Sequence, residues 1–219
     1  NQPILVSGTI LTNLEISNNT ISGAVNASGI LIDVNSADTI SNCTIDHNII
    51  STSTSTHGIR LAAAASGASS CAVIADNIFN SSNFADTIGI LATNTGITDR
   101  IIRNNQLQGN LTGISATDAA IVGNRITTQA TGSPVGINIV GGVARAFGNI
   151  VSSSGKGIFA DECTSLRIIG NEITATTGGI EIDNTTQEFG GCVLTGNYVV
   201  ASDNGIEVDA SDATGSHSL

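Results

Sequence analysis

Acidic side chains recur at fixed positions in the C-terminal part of this 219-residue chain. Glu181 and Glu207 each stand two residues after a glycine, and Asp161, Asp183 and Asp209 each stand four residues after one. Paired carboxylates can serve as the acid and the nucleophile or base of a glycosidase. A cluster of carboxylates can instead bind Ca²⁺, which prefers oxygen ligands. A third interpretation is that these acids are solvated and keep an exposed surface soluble.

The acids belong to a repeat that occurs eight times along the chain. Each repeat has an apolar residue, two small or polar residues, Asn, any residue, another apolar residue, a variable stretch and then Gly-Ile. The asparagines are Asn19, Asn48, Asn77, Asn105, Asn124, Asn149, Asn171 and Asn197. The glycines are Gly29, Gly58, Gly89, Gly113, Gly136, Gly157, Gly179 and Gly205.

The repeat length and its apolar positions predict the fold. Successive asparagines are 19 to 29 residues apart, which suits three short strands with turns and is too short for paired helices. Apolar residues three before Asn, two after Asn and one after Gly form three inward-facing ladders. We therefore expect an all-β, right-handed, single-stranded parallel β-helix, a solenoid of about eight three-strand coils. Residues 1–219 are expected to form a single domain, a segment of a longer chain or assembly.

The asparagine has a structural role in this prediction. A short bend between strands needs a residue in the left-handed region, which Asn tolerates. Stacked coils would also bring the asparagine amides within hydrogen-bonding distance of each other.

The strand that begins with Gly-Ile has the candidate site on its outer face, because the variable insertions flank it. In successive coils Glu181 lies beside Glu207, and Asp161, Asp183 and Asp209 form a second column. Phe159 is the aromatic residue on this face that could stack on a sugar ring. The candidate ligand-binding residues are Phe159, Asp161, Glu181, Asp183, Glu207 and Asp209. The candidate calcium ligands are Asp161, Asp183 and Asp209. The catalytic candidates, if the protein is an enzyme, are Glu181, Asp183, Glu207 and Asp209.

The phrases IIGNEITATTGGIEID and VLTGNYVVASDNGIEVD resemble the parallel β-helix repeat of pectate-lyase-like proteins. The resemblance covers roughly residues 14–210 and implies the architecture more strongly than the activity. Members include polysaccharide lyases, hydrolases, epimerases, phage tailspikes and surface proteins, and the lyases hold Ca²⁺ with acids. This chain lacks the Asn-Thr-Asp, Gly-His-Gly, Arg-Ile-Lys and Asp-Pro-His phrases of the enzymes. The basic residue of the last coils, Arg167, belongs to a different strand from the acids.

Four cysteines allow two interpretations. Cys43 and Cys71 are 28 residues apart and Cys163 and Cys192 are 29 apart, so each pair could form a disulfide between neighbouring coils. Alternatively, Cys43 and Cys192 are small buried core residues. The absence of a Cys-x-x-Cys motif disfavours zinc.

The charge restricts the partners. The formal net charge is −11, and residues 161–219 carry ten acids against one base. This disfavours nucleic acid and anionic membranes, and no apolar run is long enough to insert into a membrane.

We therefore expect an extracellular, cell-surface or virion module, a structural or adhesin-like rod that presents a face to a polysaccharide or a surface protein. The alternative is a polysaccharide lyase or glycoside hydrolase that uses the acids of the Gly-Ile strand. Both ends of such a rod expose sheet edges, so end-to-end or trimeric self-association is a further expectation.

Overall fold

The computed structural model of this chain is a parallel β-solenoid, as the repeat predicts. It describes residues 4–8, 10–23, 28–33, 39–53, 56–62, 69–82, 87–93, 97–129, 132–184 and 190–209. All strand pairings between these residues are parallel, and none of the described residues is helical. The described part of the chain accordingly contains no helix that could cross a membrane.

The first side of the solenoid, called the Gly-Ile side, contains the strands that follow the repeat glycines. Neighbouring strands pair in order along the rod, so that each Gly-Ile strand lies beside the next. Its strands are β1 (Ile4–Ser7), β5 (Ser28–Asp33), β8 (His57–Leu61), β11 (Ile88–Ala92), β15 (Thr112–Ala116), β22 (Ile180–Asp183), β25 (Ile206–Asp209) and the first parts of β18 (Val135–Phe147) and β20 (Lys156–Ile169).

The second side carries the residues that precede each repeat asparagine. It is formed by β2 (Ile10–Thr12), β3 (Glu15–Ser17), β6 (Thr39–Asp46), β9 (Ser69–Ala75), β12 (Ile97–Thr98), β13 (Arg100–Arg103), β16 (Ala119–Val122), β23 (Cys192–Thr195) and the later parts of β18 and β20.

The third side, called the Asn side, follows the asparagine and is an eight-stranded sheet. Its strands are β4 (Thr20–Gly23), β7 (Ile49–Thr52), β10 (Ile78–Ser81), β14 (Gln106–Asn110), β17 (Arg125–Thr128), β19 (Ile150–Ser153), β21 (Glu172–Ala175) and β24 (Tyr198–Ala201).

The coils of the solenoid are less uniform than the sequence predicts. About six coils have separate strands on all three sides, rather than the eight expected. In the other two, β18 and β20 each run without a break along both the Gly-Ile side and the second side.

The three apolar ladders fill the interior. Their residues are almost completely buried through seven coils, for example Ile121, Ile126 and Ile114 at 1% exposure or less. In the eighth coil Ile206 is 52% exposed, while Leu194 and Val199 are half-buried. Buried and outward residues alternate along strands such as β19 and β21, as the predicted facing requires, whereas β5 and β15 are buried along almost their whole length.

The asparagines form a continuous hydrogen-bonded ladder. The Nδ2 group of each donates to Oδ1 of the asparagine in the next coil at 2.9 to 3.0 Å, from Asn19 through to Asn197. That same Oδ1 also accepts the backbone N–H of the preceding asparagine, as Asn149 does from Asn124. Nδ2 donates in addition to a backbone carbonyl of the previous coil, as Asn124 does to Ile102.

The left-handed residue at this bend is the one before the asparagine, which corrects the expectation that the asparagine adopts it. Because its backbone need not be left-handed, the asparagine can point its amide inward to the ladder. The eight residues with positive φ at this corner are Asn18, His47, Asp76, Asn104, Gly123, Gly148, Gly170 and Gly196.

The repeat glycines are required by space rather than by backbone conformation. A Cβ atom on Gly136 would lie 2.2 Å from Val151 Cγ1 and 2.6 Å from the carbonyl oxygen of Gly157. The same conflict recurs from Gly29 to Gly179, where the side chain two residues after the asparagine of the next coil packs against the glycine backbone, but not at Gly205. A side chain at this position would therefore separate the Asn side from the Gly-Ile side.

Cys43, Cys163 and Cys192 are free, buried thiols, so the structure has no disulfide at these three residues. The register explains this: Cys43 pairs with Ala72 rather than Cys71, and Cys192 pairs with Leu166, three positions beyond Cys163. The side chain of Cys71 lies outside the described residues.

Replacing a central ladder residue should destabilise the solenoid much more than replacing the last one. Asn124→Ala removes amide bonds to Asn105 and Asn149 and leaves buried groups unpaired, at about 1–3 kcal/mol for each group. Asn197→Ala is the control, because Asn197 is half-buried and contacts the asparagine of one neighbouring coil. Denaturant unfolding followed by circular dichroism should show the larger loss for Asn124→Ala, and equal losses would contradict the ladder's role.

The three described thiols should be inert in the folded protein. Burial raises the pKa of Cys43 to about 11, that of Cys192 to about 11 and that of Cys163 to about 12, which leaves them protonated and inaccessible. We expect no reaction of these three with a thiol reagent at pH 8 before unfolding, and full reaction in denaturant without reductant. Mapping the labelled peptides by mass spectrometry checks both statements, and unlabelled Cys163 and Cys192 in denaturant would indicate a disulfide.

Candidate functional site

The predicted acidic columns are formed in the structure. Asp161 pairs in register with Asp183, and Asp183 pairs with Asp209. Phe159 and Glu207 flank Glu181 in the same way. Parallel neighbours are about 4.8 Å apart, so successive carboxylates face each other across that distance. We call the outer surface formed by these residues the acidic face.

The backbone alternation directs the acidic side chains outward. Ile158, Ala160, Ile180 and Ile182 are all completely buried in the core, which turns the intervening residues to the outer surface. Exposure increases along the rod: Phe159, Asp161, Glu181 and Asp183 are half-buried, whereas Glu207 and Asp209 are exposed.

Lys156 is a basic residue at this face, contrary to the interpretation that the last coils place no base near the acids. Its Nζ lies 2.6 Å from Glu181 Oε1 in the next coil and 4.1 Å from the centre of the Phe159 ring. The position had a sequence signal, because Lys156 directly precedes the repeat glycine Gly157 on the same strand as Phe159. A Cβ atom on Gly178 would lie 3.1 Å from Glu181 Oε2, so the absence of a side chain there leaves room for this ion pair.

The contacts of Lys156 restrict the predicted roles of Glu181 and Phe159. Lys156 neutralises Glu181 and covers one face of Phe159. A sugar ring that stacks on that face of Phe159 would have to displace the ammonium group. Glu207 also has a partner, because Asn204 Nδ2 donates to its Oε2 at 2.7 Å.

The aspartate column retains its electrostatic repulsion. Burial raises the pKa of Asp161, and the neighbouring charges of Asp183 and Glu162 raise it further. Oδ1 of Asp183 is buried without a hydrogen-bond partner among the described residues. Asp161 forms no ion pair with any residue in the described part of the chain.

The expected calcium ligands are spread along one column. Within the described ranges, no group of three or more His, Cys, Asp or Glu residues is placed to hold a metal ion. Two rung spacings separate the backbones of Asp161 and Asp209 by about 10 Å. Ca²⁺ ligands lie about 2.3–2.6 Å from the ion, so a shared ion would require the two outer side chains to lean towards Asp183.

Two grooves lie elsewhere, and no residue of the acidic face lines either of them. A groove of 460 Å³ lies on the outer surface of the second side, around Ala120. Ala120 pairs with Ile101 in the previous coil and with Arg145 in the next coil, and both also line the groove. A groove of 360 Å³ at the edge of the Asn side is lined by Gly23, Ser51, Thr52, Ser53, Asn80, Ser81 and Ser82.

Arg100 borders the larger groove but has a structural role. It is 1% exposed, and its Nη1 donates to the carbonyl oxygens of Ala92, at 2.6 Å, and Thr117. Burial lowers the pKa of Arg100 to about 10, and the charge of Asp118 opposes that shift. The guanidinium therefore links two coils at a corner of the solenoid. Nothing in the sequence marks Arg100 as buried, because a single arginine gives no sign that it points inward.

No family model, curated protein or solved structure matches this chain. The assignment of a parallel β-solenoid therefore rests on the strand pairing and on the internal repeat.

Removing the charge of Asp161 should stabilise the protein at neutral pH. Its folded-state pKa is raised, so the charged form opposes folding above that pKa and this penalty disappears as pH falls through it. Asp161→Asn should raise the melting temperature by about 2 °C at pH 7 and by less at pH 3. The control is Asp203→Asn, an exposed acid outside the column. Calorimetry that shows the same shift at both pH values would contradict the repulsion.

Proposed function

We propose that this chain is a non-catalytic, surface-displayed rod, structural or adhesin-like, whose acidic face binds a polysaccharide or a partner protein. The observation that carries the proposal is the register of Asp161, Asp183 and Asp209, which aligns carboxylates across three successive coils of a rigid sheet. The proposal also includes a relationship to the non-enzymatic surface proteins of the pectate-lyase-like group. It further includes a location outside the cell, on the cell surface or on a virion.

The construction of the rod supports a spacer role. Eight coils at about 4.8 Å each give a length of roughly 38 Å. The buried amide ladder and the three apolar ladders continue from coil to coil, so that bending the rod would break contacts along its whole length.

The charge of the face supports a cationic partner. Lys156 neutralises Glu181, whereas Asp161 and Asp183 have no basic partner among the described residues. Because these acids already repel each other, a cation that approaches them gains attraction and also relieves that repulsion. A basic protein surface or a polysaccharide with amino groups has the required charge, and nucleic acid does not.

The second candidate is a polysaccharide lyase or glycoside hydrolase that uses Glu181, Asp183, Glu207 and Asp209. One observation favours it: Lys156 places a basic side chain beside Glu181. The ion pair between Lys156 and Glu181 argues against it, because each group contacts the other rather than a substrate.

Binding and turnover measurements on one preparation separate the candidates. We expect the chain to bind an immobilised cationic polysaccharide such as chitosan, with an affinity that falls as salt rises, and to release no sugar from cationic, neutral or acidic polysaccharides. The double variant Asp183→Asn, Asp209→Asn should bind at least several-fold more weakly. Glu172→Gln, on the exposed surface of the Asn side, is the matched control and should bind as the unchanged chain does.

Equal binding by the double variant and the control would refute the acidic face as the contact surface. Turnover of any polysaccharide that Glu181→Gln abolishes would establish the enzyme instead.

A further inference from the structure

The outer surface of the second side concentrates arginine on a strongly acidic protein. Three of its seven basic residues, Arg103, Arg145 and Arg167, point outward there. The half-buried apolar side chains of Phe147 and Ile169 form a neighbouring column beside Arg145 and Arg167. We call the surface formed by Arg145, Phe147, Arg167, Ile169 and Val193 the arginine face.

Arg145 and Arg167 lack the acidic partner that Arg103 has. Arg103 lies 3.7 Å from Asp76, whereas Arg145 and Arg167 form no ion pair with any described residue. Arg145 and Arg167 are register partners on β18 and β20, so their backbones lie about 4.8 Å apart. Their positive charges therefore repel each other. An approaching carboxylate would relieve this repulsion, as a cation does at the acidic face.

The surroundings of the two arginines resemble the composition of a protein interface rather than of a soluble surface. Val193 is 39% exposed, and Val143, which borders the 460 Å³ groove beside Arg145, is 49% exposed. An apolar patch bordered by arginines is typical of a surface that a protein partner covers.

We propose that the arginine face binds the acidic face of a second copy of this chain, so that the solenoids associate side by side. The inference rests on the proposed function in that the acidic face is again the contact surface, and it names the partner. Both faces combine a charged column with apolar residues, since Val140 and Phe159 accompany the aspartates as Phe147 and Ile169 accompany the arginines.

The spacing of the two faces supports the pairing, because both belong to one solenoid and have the same rise per coil. Asp161 and Arg167 lie on the same strand, β20, which corrects the expectation that they belong to different strands, and Arg145 and Asp183 lie on the coils to either side. Two copies aligned without an axial shift therefore place Arg167 level with Asp161, and Arg145 one coil away from it. A shift of one coil would place Arg145 level with Asp161 and Arg167 level with Asp183, but copies related by an axial shift cannot close into a ring.

The contact joins two different faces, which restricts the symmetry. A two-fold dimer pairs identical patches, whereas a contact between different patches closes only as a ring of three or more copies. The acidic and arginine faces meet at one corner of each solenoid, because β20 runs from one to the other. We expect a trimer with parallel solenoid axes, the smallest ring that satisfies every copy.

Light scattering and sedimentation at low and high salt test the association. The chain should have three times its 22.0 kDa mass at low salt and dissociate as salt rises. The variant Arg145→Glu, Arg167→Glu should be a monomer, and so should Asp161→Lys, Asp183→Lys. Mixing these two variants should restore an oligomer, because each supplies the complement of the other. Arg125→Glu, on the exposed surface of the Asn side, is the control and should retain the original mass.

A monomer at every concentration, an isologous dimer, or a mixture that stays monomeric while both variants keep their folded spectra would overturn the inference. A monomer that still binds chitosan through its aspartates would refute self-association and leave the proposed function standing. A trimer whose acids bind no polysaccharide and no other protein would support self-association and refute the proposed function.

Discussion

The asparagine ladder is the interaction on which the other parts of the structure depend. A solenoid wall must turn a corner in every coil, and a corner inside the core leaves backbone groups without sheet partners. Each ladder amide pairs such groups: Asn124 Oδ1 accepts the backbone N–H of Asn105, and Asn124 Nδ2 donates to the carbonyl of Ile102. The ladder thereby fixes the height of each coil, and with it the register of every outward column, including the acids.

The period of the sequence made the architecture predictable because each coil repeats the same physical requirement. Asn, Gly and the inward apolar residues are each fixed by contacts with their equivalents one coil away, so they recur and can be recognised. The corner between the Gly-Ile side and the second side has no such invariant residue. Positive φ angles occur on the second side or where it begins, at Asn13, Asn42, Asp99 and Asp118, each an Asn or Asp six residues before a repeat asparagine. The pattern does not continue through the later coils, since Glu162 stands nine residues before Asn171.

The candidate site was predictable in position and only partly in chemistry. Counting two and four residues from the glycines placed the acids in the columns that the structure shows. Lys156 was missed because its ammonium reaches the next coil along a flexible stem, which no alternation rule places. The cysteine pairing failed for a related reason: coil length varies, so a separation of 28 or 29 residues puts two residues in neighbouring coils without putting them in register.

The ladder also has a direction. In every bond between two ladder amides the Nδ2–H group points towards the C-terminal coils and the Oδ1 atom towards the N-terminal ones, from Asn19 to Asn197. Aligned amide dipoles in a row add, as they do along an α-helix, and give the row a positive end where its N–H groups point. In this solenoid the positive end of the row lies at the coils that carry Glu181, Asp183, Glu207 and Asp209. The ladder therefore has a dipole whose positive end lies under the acidic face.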